Sequence, residues 1–211
     1  MSIDDSQHVS RKNTINSGLL LGLSLMTTNI YADPQSMVQA LAGHWQGNTQ
    51  YAQSQPTEVN TQVTATLTPD NSILTLSITY NVDDISSYAI KVMSVNNDSQ
   101  QLYSSYFHDN TATLVLAEII DNQSMINALP REQASLSNHL PFSNDSNQSQ
   151  KLNLQYQGEY QQRPVRYLEQ WQLSSSLFIN RTWLCYQDED SCQYIPLSTS
   201  KLQRVDSNAF E

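Results

Sequence analysis

Glu58-Val-Asn-Thr-Gln-Val-Thr-Ala-Thr-Leu-Thr-Pro-Asp-Asn-Ser-Ile-Leu-Thr-Leu-Ser-Ile-Thr-Tyr-Asn-Val82 decides the fold. Val59, Thr61, Val63, Ala65 and Leu67 alternate with polar neighbours, which is the period of a strand with one face in a core. Pro69-Asp70-Asn71 is turn chemistry. Leu74, Leu76, Ile78, Tyr80 and Val82 then alternate again until Asp83-Asp84 ends the run. A connection this short cannot cross over to a parallel partner, so the two strands form an antiparallel hairpin.

The same rhythm extends outward in both directions. Downstream, residues 88–95, 102–107 and 112–120 are strand-length runs separated by Asn96-Asn97-Asp98 and by Asp109-Asn110. Further runs occupy 152–156, 165–173, 177–185 and 194–205, each bounded by turn residues. Between them, 122–150 is rich in Ser, Asn and Gln and holds Pro130, Pro141 and the tract at 143–150, which predicts a long polar loop serving as an insertion or a lid. Upstream, Asp33-Pro34 followed by Gln35-Ser-Met-Val-Gln-Ala-Leu41 and Gly43 predicts a short N-terminal helix with a cap, a proline in its first turn and a glycine beyond its end. A meander of so many twisted strands must hide its edges, and the simplest closure is an all-β, antiparallel up-and-down β-barrel of about 8–10 strands.

The chain begins with a different signal. Arg11 and Lys12 precede the apolar run Ser17-Gly-Leu-Leu-Leu-Gly-Leu-Ser-Leu-Met26, and Ile30-Tyr31-Ala32 stands before Asp33-Pro34. The run is shorter than the roughly 20 apolar residues of a membrane span. Residues 1–32 therefore read as a secretory signal peptide and 33–211 as a single exported domain, with the periplasm of a Gram-negative bacterium as the expected location. The formal net charge is −10, and residues 1–32 carry two acidic and two basic groups, so their removal leaves it unchanged. Such an acidic chain repels phosphate backbones and anionic lipid, which argues against nucleic-acid partners and peripheral membrane binding. Cys185 and Cys192 flank the acidic loop Asp188-Glu189-Asp190 and are expected to form a disulfide in an oxidising compartment.

Leu41-Ala-Gly-His-Trp-Gln-Gly47, a short helix running into Gly-x-Trp at the head of the first strand, resembles the opening of lipocalin-like (calycin-type) barrels. The resemblance implies that Gly43 lets the chain turn into the barrel and that Trp45 plugs its closed end beneath an arginine. Arg204 and Arg181 are the two candidates for that cover, a cation–π contact of about 0.5–2 kcal/mol. The absence of other lipocalin motifs points to a divergent family of small exported bacterial proteins. The opening also resembles nitrobindin-like haem barrels, but their haem needs a late axial histidine, and no histidine follows residue 139. No cofactor is expected.

Catalytic signatures are missing. His44, His108 and His139 are not at metal-ligand spacing, and neither a nucleophile elbow nor a phosphate-binding glycine loop occurs. His108-Asp109 is the nearest thing to an acid–base pair, but neighbours on a strand face opposite ways. Eleven tyrosines against four phenylalanines do suggest amphipathic lining for a cavity. Tyr80, Tyr88, Tyr106, Glu169 and Trp171 are the candidate ligand-binding residues. Glu169 alternates with Val165, Tyr167, Trp171 and Leu173, so this set faces either the lumen or the solvent, and an inward Glu169 would need Arg166 or Arg181 as partner.

Four functions fit. The first is a periplasmic binding or carrier barrel for a small lipophilic or amphipathic ligand, and the second an envelope scaffold with a filled interior. The third is an outer-membrane barrel, disfavoured by scarce glycine and a polar final strand. The fourth is an enzyme using cavity carboxylates, for which no catalytic residue is assigned.

Overall fold

The computed structural model describes residues 33–52, 57–96, 98–108, 111–133, 149–189 and 191–206. The segment 1–32 expected to be a signal peptide, most of the polar tract at 143–150, His139, Asp109 and Asp190 lie outside the described residues. Ten strands form a closed barrel: β1 (Gly43–Tyr51), β2 (Thr57–Leu67), β3 (Ile73–Val82), β4 (Ile85–Asn96), β5 (Gln101–His108), β6 (Thr111–Ile120), β7 (Gln150–Tyr160), β8 (Arg163–Leu173), β9 (Leu177–Tyr186) and β10 (Ile195–Val205). Each pairs antiparallel with its neighbours in sequence, and β1 closes the ring against β10. The up-and-down barrel expected from the alternation is the observed fold.

The predicted N-terminal helix is α1 (Pro34–Ala40). Asp33 caps it, its carboxylate accepting from the Ser36 N–H at 3.0 Å and from the Ser36 hydroxyl at 2.9 Å. Met37, Val38 and Leu41 are almost fully buried and seal one end of the barrel. Trp45, the first inward side chain of β1, sits on this seal and donates its indole N–H to the Leu41 carbonyl at 2.8 Å.

The 122–150 segment is not wholly a loop. Asn122–Ala128 is a second helix, α2, capped by Asp121, whose carboxylate accepts from the Ser124 N–H at 2.8 Å. Met125 and Leu129, spaced one turn apart, pack with Leu168, Trp183, Cys185 and Tyr194 as a small core on the outside of β8 and β9. The polar composition of the whole segment concealed this apolar pair. The helix is a cover over the sheet rather than a lid over its mouth.

Cys185 and Cys192 form the expected disulfide across the end of β9. In the loop they bracket, Asp188 accepts from Arg163 at 2.8 and 3.0 Å and Glu189 at 3.1 Å, while the guanidinium lies 3.7 Å from the Tyr186 ring centre.

One seam differs from the others. β6 and β7 pair only between Glu118–Ile120 and Asn153–Gln155. Continuing that register would set Ala117 against Tyr156 and Thr113 against Tyr160, but the strands part there and the pairing stops.

Candidate functional site

Alternation decides what faces the lumen. On β1 the inward positions are Trp45, Gly47, Thr49 and Tyr51; on β8 they are Val165, Tyr167, Glu169, Trp171 and Leu173, the inward choice for the set that sequence left open. Together these walls enclose a cavity of about 390 Å³. Its floor, next to α1, is apolar, with Leu41, Trp45, Ala65, Leu102, Ala117 and Phe178. Phe178 joins two indoles edge-on, its ring centre 6.1 Å from those of Trp45 and Trp171.

The middle tier is polar. Thr49 shares hydroxyl contacts with Thr61 at 2.9 Å and Ser200 at 2.8 Å. Glu169 is 4% exposed and accepts from Asn180 Nδ2 at 2.8 Å. Its cation is neither Arg166 nor Arg181. Arg181 lies on the outer face, donating toward Gln170 Oε1 at 3.4 Å, because β9 alternates it away from inward Asn180. Lys91 of β4 instead reaches across the lumen, placing Nζ 4.0 Å from Glu169 Oε1 and 5.4 Å from the Trp171 ring centre.

The mouth is aromatic. Tyr80, Tyr106, Tyr156 and Tyr167 line it, and Tyr156 stacks on Tyr167 at 4.9 Å. Burial, reinforced by Tyr106, raises the Tyr80 phenol far above its ordinary value, and Tyr51 is raised by the same two causes. Burial also lifts Tyr156, reinforced by the Glu169 charge, by Tyr167 and by its hydrogen bond to Glu169. These phenols keep their protons throughout the physiological range and can donate as well as accept.

Of the candidate ligand residues, Tyr80, Tyr106, Glu169 and Trp171 line this one cavity. Tyr88 does not. It is 68% exposed and points outward from β4, whose inward positions are Ala89, Lys91 and Met93. Lys91, Asn180 and Ser104 escaped the sequence reading, although strand parity carried the signal: Lys91 falls between Ala89 and Met93 at the lumen period, and Asn180 between Phe178 and Thr182.

Of the two candidate arginines, Arg204 is the one that lies over Trp45. Its guanidinium carbon lies 4.2 Å from the Trp45 ring centre, and its nitrogens donate to the carbonyls of Ser175, Ala42 and Ala40 at 2.9, 2.7 and 2.7 Å. Gly43 has φ +130°, and a Cβ there would approach Arg204 Nη1 to 2.5 Å, so the glycine supplies both the turn and the space for the arginine. Arg181 has no part in the plug.

No protein-family model and no curated protein matches the chain. Solved structures do. Rv2717c from M. tuberculosis superposes with a TM-score of 0.53 at 10% identity, over 83% of this chain and 99% of that one. The S-type phycobiliprotein lyase CPES from Guillardia theta gives 0.46 at 10% identity, over 82% and 93%. At such identities the likeness to Rv2717c is one of fold alone, and the fold of this chain is a closed, ten-stranded antiparallel barrel. Among the described residues no helix is long and apolar enough to cross a membrane, and no cluster of three metal-ligating side chains occurs.

Proposed function

We propose that the protein is an exported binding barrel for a small amphipathic molecule. The observation that carries this reading is the cavity of about 390 Å³, whose size lies within the range of small-molecule sites and whose lining grades from apolar floor to tyrosine mouth. A barrel that served only as a scaffold would fill that space with side chains, as small barrels do. Export is supported by the signal-peptide pattern of residues 1–32 and by the disulfide. Residues 33–211 would then be the working domain, the ligand entering through the tyrosine mouth and the parted seam between β6 and β7.

Native mass spectrometry of the protein purified from its own host tests the reading, with the same sample run after denaturation. A reproducible small-molecule adduct lost on unfolding is expected. Bare protein in every preparation would sink the proposal.

A second reading, an interaction module, draws on the outer face of β4–β6. Tyr88, Ile90, Tyr103, Phe107, Leu114 and Leu116 are all exposed there, Leu114 at 79%. Light scattering of the protein beside a Leu114→Ser variant tests it, since an assembly lost in the variant would move the function to that surface.

A further inference from the structure

The middle tier of the cavity holds two kinds of unfinished business, and both bear on the ligand. Lys91 and Glu169 come from strands on opposite sides of the ring and bring one positive and one negative charge to 4.0 Å. A head group of either net sign would be attracted by one and opposed by the other, and in a confined lumen such opposition is poorly screened. Three residues that line the same cavity each carry a buried polar atom with no hydrogen-bond partner among the described residues: Trp171 Nε1, Ser104 Oγ and Asn180 Oδ1. Trp171 and Ser104 are only 2% and 3% exposed. An indole N–H can only donate, an amide oxygen can only accept, and a hydroxyl can do either. Polar atoms this deeply buried are normally satisfied.

We propose that this tier seats an uncharged head group carrying both a hydrogen-bond donor and an acceptor, such as an alcohol or a primary amide. Its acceptor takes the Trp171 N–H and its donor serves Asn180 Oδ1. The apolar body of the ligand lies on the floor formed by Trp45 and Phe178. The inference rests on the ligand-binding reading and narrows it to one class of molecule.

The test offers the purified protein four probes with one aliphatic chain and different heads: 1-decanol, decanamide, decanoate and decylammonium, titrated calorimetrically at neutral pH. The alcohol and amide are expected to bind at least tenfold more tightly than either ion. Trp171→Phe should weaken the neutral probes about tenfold while leaving the ions unchanged. Lys91→Met leaves the carboxylate alone and should shift preference from decanol to decylammonium, which a purely structural role for Lys91 would not do. Ions binding as well as neutral probes, or decanol indifferent to Trp171→Phe in a folded variant, would overturn the inference and leave the binding reading standing. If none of the four binds, the adduct from the host decides: a neutral donor–acceptor molecule upholds the inference, a charged one overturns it alone, and no adduct overturns both readings.

Discussion

Lys91 and Glu169 stand on opposite walls of the barrel, on β4 and β8, and meet across its lumen with Nζ 4.0 Å from Oε1. Glu169 is almost completely buried, whereas the Lys91 side chain retains 21% exposure, so the pair is only partly shielded from water. Removing one member strands the other. Glu169→Ala and Lys91→Ala are each expected to lower stability by roughly 1–3 kcal/mol, less than for a fully buried pair. The double variant Lys91→Ala, Glu169→Ala should lose less than the sum of the two single losses. Urea unfolding of all four proteins, read as a double-mutant cycle, checks this; additive losses would mean that the two groups do not interact.

The plug depends on arginine geometry. Arg204→Lys keeps the charge but loses the planar stacking on Trp45 and the forked donation to Ala40 and Ala42. Both Arg204→Lys and Arg204→Ala are expected to destabilise by about 1–3 kcal/mol, with the lysine recovering little. The indole band of the near-ultraviolet circular dichroism spectrum should weaken in both. A lysine variant as stable as the parent would refute the stacking account.

Alkali should unfold the protein through its tyrosines. Burial raises the folded-state pKa of Tyr80, Tyr51 and Tyr156 above the 10.0 of an ordinary phenol. The unfolded chain therefore releases those protons first. Stability is complete below pH 10 and falls as the pH rises toward the raised folded-state values, because the folded state binds more protons there. Ultraviolet titration should find a group of phenols that ionise only together with unfolding. Smooth titration of every tyrosine near 10 would place those rings in water.

The disulfide should matter for stability and not for binding. The loop between Cys185 and Cys192 is short, so reduction or a Cys185→Ala, Cys192→Ala variant is expected to cost about 2 kcal/mol. Cys185 belongs to the outer core with Leu168 and Met125, away from the lumen. Retained ligand should therefore be the same before and after reduction; its loss on mild reduction would tie the outer core to the cavity.

The parted seam gives a test of access. Cysteines placed at Leu116 and Gln157, opposite one another if the register of β6 and β7 continued, should bridge on oxidation only if the seam can close. Bridged protein is expected to exchange ligand more slowly than the reduced form, in stopped-flow measurements with a fluorescent fatty alcohol. Equal rates would leave the tyrosine mouth as the sole entrance.

The barrel was legible because strand parity is a local property. Val59 to Val82 announces a hairpin with one inward face, and the same alternation recurs around the ring. Parity alone does not say which face is inward, and this kept the orientation of Glu169 and Trp171 open until Trp45 fixed the lumen through the register of β1 with β10. The turn between β7 and β8 was harder to see, because Gln161 and Gln162 take φ of +51° and +63°, a conformation ordinarily left to Asn or Gly. The partner of Glu169 was out of reach for another reason. Lys91 is far from it in sequence and meets it only across a closed ring, so no local pattern joins the two.

The hydrogen bond from Arg204 to Ala42 spans 162 positions of sequence, and β1 gains its second partner only in β10, the last strand. A chain emerging from its N-terminus can build hairpin after hairpin, but β1 keeps one open side and Trp45 stays uncapped until β10 and Arg204 arrive. Closure thus needs the most sequence-distant strand pairing in the barrel, and topologies dominated by such distant contacts fold slowly. Until β1 and β10 meet the strands form an open sheet, and the container exists only once the two ends of the barrel sequence have found each other.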